Sequence, residues 1–317
     1  MARAHRRGFL SLPVGEIAAL TTAAAWSACA QFFGAAGLRI GSVAVNHLRL
    51  LAGLAILLVL HLVVIGTFMP HGTAPRDLLL LVLSGIFGLI LGDAAYFRAL
   101  VLVGPATATI MVTTTPAFAT FGAWVFLDER LPSRALMGIA ITVAGILLAV
   151  KARSMRDPVE RKARGFASSV VAMGLFFALL GAMGQATGQV LARPALRAVD
   201  PLSATIIRVA TAALILWGVL ALRCLWTRRA PTWWARALAD RGALALTMGG
   251  VITGPSLGVW LSLVATRHAP VGIASTLMSL VPVFVLLEDW ALGRRRPTGL
   301  EILGAGVAVA GVAVLVT

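Results

Sequence analysis

The stretch from Met111 to Val150, MVTTTPAFATFGAWVFLDERLPSRALMGIAITVAGILLAV, contains two long apolar runs separated by a short charged turn at 128–130. The pattern recurs 166 residues later, from Leu277 to Val316, as LMSLVPVFVLLEDWALGRRRPTGLEILGAGVAVAGVAVLV. Pro116 matches Pro282 inside the first run of each copy. The second run of each copy carries two glycines seven residues apart, at 138 and 145 and at 304 and 311. These shared features predict that the chain is a duplication of one structural unit.

The composition is typical of a membrane protein. The chain has 317 residues, 59% hydrophobic and 12% charged, and its mean hydropathy is +0.94. Soluble domains are about half apolar and about a quarter charged. A run of about 20 apolar residues crosses a bilayer core about 30 Å thick. Ten such runs are predicted, numbered helix 1 to helix 10: 14–36, 43–65, 77–98, 105–127, 133–151, 165–190, 202–223, 242–264, 269–291 and 298–317.

Ten helices in two copies give five helices per copy. Because an odd number of crossings carries the chain to the other side, the second copy is inverted relative to the first. We therefore expect an all-α integral membrane protein with ten transmembrane helices as two inverted five-helix repeats. The repeats are expected at 14–150 and 165–317, with a basic linker at 151–164 between them.

The positive charge is interpreted as topogenic. The formal net charge is +15, but 25 of the 27 basic residues lie in the tails and connecting segments, where they contact lipid headgroups and set orientation. The expected partners are the lipid bilayer and a small-molecule substrate, with no nucleic acid; the sequence does not indicate an oligomeric state.

No feature indicates an enzyme or a metal site. Membrane hydrolases and transferases need paired carboxylates, a histidine cluster or a Ser–His arrangement at depth. The five histidines are scattered along the chain, and Cys29 and Cys224 lack partners at metal-ligand spacing. We predict no catalytic residues, no cofactor and no metal.

Polar and aromatic residues at mid-depth are the candidates for a substrate cavity. Such sites have apolar walls with a few hydrogen-bonding groups. The candidates are Trp26, Gln31, Thr113, Gln185, Gln189 and Trp260. Each also has a structural interpretation: threonines in helices bond their own backbone carbonyls, and glutamines join neighbouring helices. Helices 1, 3, 4, 6, 8 and 9 are expected to wall the cavity, and helices 5 and 10 to serve as packing helices.

Prolines inside three of the predicted helices mark candidate hinges. These are Pro116, Pro255 and Pro282, in helices 4, 8 and 9. A proline interrupts the helical hydrogen bonds, and nearby threonine and serine side chains or cavity water satisfy the freed groups.

Asp93 is the candidate for proton coupling. A carboxylate within a transmembrane helix costs about 2.5–3.5 kcal/mol on insertion scales, so its presence needs a reason. Titration during transport is one reason; an ion pair, with Arg98 as the candidate partner, is another. By an offset of 165, the second copy has Gly258 at the equivalent position. Arg49 and Arg208 lie early in helices 2 and 7, and we expect both to snorkel towards the interface.

These features together resemble the drug/metabolite transporter superfamily, and in particular tandem EamA domains. The similarity lies in two five-helix units with an arginine early in the second helix and a P-x-F, W, charged-turn and G-x6-G ending. Such units usually carry glutamate in the turn after the fourth helix, as at Glu129. The second copy departs from this pattern, with arginines at 294–296.

The resemblance and the inverted repeats predict a secondary transporter, taken as an exporter, of a small metabolite or drug-like solute by alternating access. Proton coupling remains open at this point. A lipid or lipid-carrier flippase on the same fold is the alternative, and a membrane-embedded enzyme is a weaker one. A flippase should show a polar groove open sideways to lipid, whereas a solute carrier should enclose its cavity.

Orientation is where the sequence conflicts with the resemblance. The side of the N-terminus holds 9 Lys and Arg residues and the other side 16, which favours an N-terminus outside the cytoplasm. The first copy alone favours the opposite orientation, 6 to 2. Since the first helix usually dominates and the resemblance also implies it, we expect both termini in the cytoplasm and the chain in the plasma membrane.

Overall fold

A computed structural model describes residues 14–103, 105–155 and 168–316 of the chain. Ten of its helices are long and apolar enough to cross a membrane, and no strand occurs in these residues. The predicted all-α fold with ten spans is confirmed. Residues 156–167, which include most of the predicted linker, lie outside the described ranges.

The spans are numbered α1 to α10 in chain order, and four of them consist of shorter helical pieces. Single helices form α1 (Val14–Ile40), α2 (Ser42–Ile65), α5 (Ser133–Ser154), α6 (Ser168–Ala195), α7 (Pro201–Thr227) and α10 (Gly299–Val316). The composite spans are α3 (Pro75–Gly85, Ile86–Gly92 and Asp93–Val103), α4 (Pro105–Val112 and Thr115–Leu127), α8 (Arg241–Val251, Ile252–Gly258 and Val259–His268) and α9 (Val271–Met278 and Val281–Ala291). A short helix, Trp233–Ala239, precedes α8.

The two repeats change helical geometry at equivalent positions. A seven-residue π-helix lies in α3 at Ile86–Gly92 and in α8 at Ile252–Gly258. The second π-helix begins and ends 166 residues after the first, the same offset that relates the two sequence copies. The helix breaks in α4, at 113–114, and in α9, at 279–280, share this offset. π-Helical turns are frequent at functional sites because the wider turn disturbs regular packing.

The three prolines predicted as hinges lie at these irregularities. Pro116 and Pro282 occupy the first turn of the second half of α4 and α9, where a missing N–H is tolerated. Pro255 lies within the π-helix of α8. The π-helix of α3 contains no proline, so the widened turn is a property of the repeat and does not require Pro255.

Packing between the spans follows a two-fold pattern. The contact of α1 with α8 is matched by that of α6 with α3, and the contact of α1 with α9 by that of α6 with α4. The pairs α2 and α7, α4 and α9, and α5 and α10 each join equivalent spans. If each span is replaced by its equivalent in the other repeat, the same set of helix contacts results.

Helices α5 and α10 form the closest helix pair, and glycines make the approach possible. A Cβ atom on Gly138 would lie 2.6 Å from the backbone N of Leu315, and one on Gly304 would lie 2.5 Å from that of Ala149. Close backbone approach at small residues is a common way for membrane helices to associate. This contact agrees with the packing role expected for helices 5 and 10.

Candidate functional site

An ion pair inside the first repeat lies at the centre of the candidate site. Nη2 of Arg49 in α2 is 2.7 Å from Oδ2 of Asp93 in α3, and the two side chains are only 14% and 17% exposed. Gln185 of α6 donates to Oδ1 of Asp93 at 2.9 Å. Nε of Arg49 donates to Oδ1 of Asn46 at 2.8 Å. Both charged groups are thereby paired and hydrogen-bonded, as buried charges require.

Aromatic rings cover the Arg49 guanidinium on two sides. Its Cζ atom lies 5.8 Å from the ring centre of Phe33 and 5.5 Å from that of Phe97. A guanidinium at this distance from a ring face is attracted by the ring quadrupole, and the attraction is greatest where water is excluded. The rings come from α1 and α3, so the arginine links three helices of the first repeat.

Glycines bring α6 against the π-helix of α3 and position Gln185. A Cβ atom on Gly92 would lie 3.2 Å from the backbone N of Gln185, and one on Gly184 would lie 2.7 Å from Cα of Gly92. One turn away, the Ser84 hydroxyl donates to the carbonyl of Gly188 at 2.5 Å. Because no side chain separates the backbones, the Gln185 amide reaches Asp93 across the interface between the repeats.

Arg208 of α7 is the counterpart of Arg49 but has no such partner. The residue is 4% exposed, and its Nε atom is buried without a hydrogen-bond partner. A Cβ atom on Gly88 would lie 3.1 Å from its Nη2 atom. No carboxylate of the described residues forms a salt bridge with it, although Asp93 is close enough to interact electrostatically.

Three sequence-based expectations about these charges are wrong. Asp93 pairs with Arg49 and not with Arg98, because the side chain of Arg49 reaches from α2 to the carboxylate on α3. Neither Arg49 nor Arg208 snorkels, since both guanidinium groups are held among the helices. The π-helices align at an offset of 166, so Val259 and not Gly258 is equivalent to Asp93. The second repeat still lacks a carboxylate there.

The other polar candidates fall into two kinds. Gln31 of α1 donates to Glu288 of α9, an interhelical bond. The hydroxyl of Thr113 donates to the carbonyl of Ile110 at 2.6 Å, so it bonds its own turn. Gln189 is buried, and its Oε1 atom has no hydrogen-bond partner in the described chain. Of these residues, Gln189 alone presents an unused buried acceptor.

The two tryptophan candidates belong to different apolar clusters. Trp26 packs against a cluster that joins α1, α5, α9 and α10, and its Nε1 atom would lie 2.5 Å from a Cβ atom on Gly258. Trp260 packs against a cluster that joins α2, α3 and α7. Trp26 and Trp260 therefore pack in different clusters, although both lie near the end of the π-helix of α8 at Gly258.

Buried polar atoms without a hydrogen-bond partner are spread over the predicted cavity helices. Besides Gln189 they include the hydroxyls of Ser27, Thr120, Ser256 and Ser275, in α1, α4, α8 and α9. Buried polar groups normally find a partner, so each exception in a packed interior needs an explanation. Five of the six helices predicted to wall the cavity carry one such atom.

Two grooves open sideways between helices, and both have mainly apolar linings. One, of about 410 Å³, lies between α3 and α6 and is lined by residues that include Phe87, Leu91 and Phe177. The other, of about 800 Å³, lies between α4 and α5 and has Glu129 and Arg130 at one end. Neither groove contains any of the six cavity candidates.

Two features missed by the sequence reasoning complete the site. Asn46 precedes Arg49 by three residues, a spacing that places both on one helix face. Phe33 and Phe97 could not be assigned to Arg49 because they come from other helices.

In the described ranges, no group of three His, Cys, Asp or Glu side chains could hold a metal ion.

Comparison with known families gives two matches along the chain. The model of the EamA-like transporter family matches residues 13–151 and again residues 172–317. The two matches fall on the two five-span repeats. No curated protein matches the chain.

A similarity to solved structures supports the fold. One structure, described only as a crystal structure of a protein, has a TM-score of 0.74 and 22% sequence identity. The similarity covers 96% of this chain and 97% of the other. At this identity it concerns the arrangement of the helices alone.

Proposed function

Because the chain belongs to the EamA-like transporter family, we propose that it is a secondary transporter that exports a small metabolite or drug-like solute by alternating access. The observation that carries the proposal is the pairing of two five-span repeats whose π-helices and helix breaks lie at equivalent positions. Two half-structures of this kind can exchange conformations around a site at mid-membrane.

The irregular helices supply the places where such an exchange can occur. The helix breaks in α4 and α9 divide each span into two pieces, and the π-helices of α3 and α8 interrupt regular hydrogen bonding. All four spans contact α1 or α6. Movement at these points would open the central contacts while α5 and α10 remain packed together.

An enclosed solute site fits this arrangement better than lipid flipping. A flippase needs a polar groove that opens to the lipid, and the two lateral grooves are mainly apolar. Of the unpartnered polar atoms, that of Thr120 lines the groove between α4 and α5, whereas those of Gln189 and Ser256 lie in α6 and α8 and line neither groove. We place the substrate among these spans, with Gln185, Gln189 and Trp260 as the wall residues to be tested first.

Asp93 is the proposed coupling residue for protons. Loss of its charge by protonation would release Arg49 and Gln185 together, since both bind the same carboxylate. Because Gln185 belongs to the other repeat, this release would loosen the contact between the repeats.

The transport proposal is tested with the purified full-length chain in proteoliposomes and with a matched pair of strains, one overexpressing the chain and one lacking it. We expect the overexpressing strain to resist a set of toxic solutes, and the proteoliposomes to move at least one of them. Scrambling of labelled lipid without solute movement would support the flippase alternative and contradict the proposal.

The coupling proposal is tested by Asp93→Asn, which keeps the shape and hydrogen bonding of the side chain but removes its titration. We expect the variant to exchange substrate across the membrane but to lose accumulation driven by a pH gradient. An Asn variant that still concentrates substrate with unchanged pH dependence would exclude Asp93 as the coupling residue.

A further inference from the structure

The unpaired charge on Arg208 indicates the chemical class of the substrate. The guanidinium is buried, and its Nε atom has no hydrogen-bond partner. Ionisable groups inside a membrane protein are normally paired or belong to the substrate pathway. No acidic residue of the described ranges forms a salt bridge with Arg208, so an external anion is a candidate partner for its guanidinium.

The guanidinium lies at the same interface as the Asp93 network. Its Nη2 atom would lie 3.1 Å from a Cβ atom on Gly88, and that Cβ position is 3.6 Å from Cα of Gly188. Asp93 follows Gly88 by five residues, which is about one turn further along α3. Gln185, which binds Asp93, precedes Gly188 by three residues on α6. Arg208 and Asp93 therefore occupy neighbouring levels of the contact between α3 and α6.

The charges at this interface do not balance. Arg49 and Arg208 contribute two positive charges, whereas Asp93 contributes one negative charge and is already bound to Arg49. The other carboxylates of the membrane spans that could approach are bound elsewhere: Glu288 to Gln31, and Asp289 to Arg153. At this interface Arg208 is therefore the charged group to which no carboxylate of the described residues is bound.

We infer that Arg208 binds an anionic group, a carboxylate or a phosphate, of the transported solute. The inference rests on the proposed function and names the substrate class of that site. A planar guanidinium presents parallel N–H groups that match the two oxygens of a carboxylate or phosphate. Gly88 lets the guanidinium lie directly against α3, because a Cβ atom at this position would be 3.1 Å from Nη2.

The first test measures binding to the full-length protein in nanodiscs of phosphatidylcholine. The probes are benzoate and inorganic phosphate, with benzamide as the uncharged counterpart of benzoate. We expect at least one anion, but not benzamide, to raise the thermal unfolding midpoint of the wild-type protein and of Arg208→Lys. In Arg208→Gln the anion affinity should fall roughly 10- to 100-fold, the loss of a charge-assisted hydrogen bond.

Two control variants define the result. Arg223→Gln removes an exposed arginine of the same helix and should leave the anion effect unchanged. Gly88→Ala keeps every charge but crowds Nη2 of Arg208, so it should weaken the anion effect even if Arg208→Gln fails to fold. Equal effects of benzoate and benzamide, or no effect of either anion, would overturn the inference.

A transport measurement separates this inference from the proposed function. Proteoliposomes are tested with benzoate, benzamide and benzylamine, which share a ring and differ in charge. Movement of benzamide or benzylamine but not of benzoate would overturn the anion assignment and leave the transporter assignment intact. If none of the three moves, the solute set of the transport test decides the transporter assignment, and the binding test still decides the role of Arg208. Stabilisation by phosphatidylglycerol alone would assign the arginine to a lipid phosphate and overturn the inference for a solute.

Discussion

In the first repeat the π-helix Ile86–Gly92 is followed by Asp93, whereas in the second repeat the π-helix Ile252–Gly258 is followed by Val259. The arginine early in the second helix of each repeat shows the consequence. Arg49 has a carboxylate partner inside its own repeat, and Arg208 does not. The backbone irregularity is therefore shared by the repeats, while the charge that accompanies it is specific to one of them.

The ends of α1 and α6 show a second kind of relation. Arg39 near the end of α1 binds Asp240, which precedes α8 in the second repeat. Arg193 near the end of α6 binds Glu129, which follows α4 in the first repeat. Both pairs cross between the repeats, so these arginines join the two halves near the helix ends. The central arginines, Arg49 and Arg208, instead differ between the two repeats.

The largest effect is expected when the paired arginine is removed. Arg49→Gln leaves the largely buried Asp93 without its cation, and breaking a buried pair costs up to about 3–5 kcal/mol. Arg208→Gln removes a buried charge that has no partner, so we expect no loss of stability in the absence of anions. The unfolding free energy of each variant in detergent micelles measures the contrast.

The double variant Arg49→Gln/Asp93→Asn serves as the control for this contrast. It removes both charges, so it should recover most of the stability that Arg49→Gln loses. Equal losses for Arg49→Gln and Arg208→Gln would mean that the two arginines have the same structural role and that the repeats do not differ as described.

The sequence predicted the ten spans because length and apolarity alone determine which segments cross a bilayer. It did not predict the π-helices, because α3 contains no proline and a wider turn leaves no residue signature. The partner of Asp93 was missed for a different reason. Arg98 is close in sequence, but Arg49 is close in space, and only the three-dimensional arrangement of the helices decides between them.

The turns after the fourth span show why a glutamate has a hydrogen-bond partner in the first copy but would lack it in the second. Glu129 accepts from the backbone N–H of Val271 at 2.9 Å, at the start of α9. The position equivalent to Val271 is Pro105, which has no N–H to donate. Arg295, in place of the glutamate, instead binds Glu301 at 2.5 Å. Thr298 and Glu301 form a capping box, which the T-x-x-E spacing could have indicated.

Restoring the glutamate should therefore destabilise the second repeat. Arg295→Glu would leave the fully buried Glu301 without its cation and beside a like charge, at a cost of about 2–3 kcal/mol. Arg294→Glu, at the exposed neighbouring position, should have little effect. Thermal unfolding of the two variants makes the comparison, and an Arg295→Glu protein as stable as Arg294→Glu would contradict this account of the turn.

A smaller effect is expected at the contact of α5 with α10, where the repeats are most alike. A Cβ atom on Gly145 would contact the backbone N of Ala308, and one on Gly304 that of Ala149. Gly145→Ala and Gly304→Ala should each cost about 1–2 kcal/mol, because the backbones must separate. Gly306→Ala, with open space around its Cβ, is the matched control. If only one of the two contact variants is destabilised, the packing is not symmetric.

The smallest effect is expected for the cross-repeat pair of Arg39 with Asp240, at the membrane surface. The Asp240 carboxylate accepts from Nε and Nη2 of Arg39 at 2.9 and 2.8 Å and from the backbone N–H of Ala243. These hydrogen bonds hold the pKa of Asp240 below its ordinary value of 3.8, and the bond from Arg39 contributes most. The folded state therefore binds the proton less tightly than the unfolded state.

The sign of the pH dependence follows from this difference. The stabilisation is present above the ordinary pKa and is lost as the pH falls through that value and then through the lower pKa of the folded state. Asp240→Asn should lower the unfolding midpoint slightly at neutral pH and reduce the further loss below about pH 4. Because the pair is exposed, high salt should diminish the difference between wild type and variant. Arg39→Gln should reduce the pH dependence as well, but less than Asp240→Asn does, because the Ala243 N–H still bonds the carboxylate. An Arg39→Gln profile identical to wild type would show that the two halves are not joined by this pair.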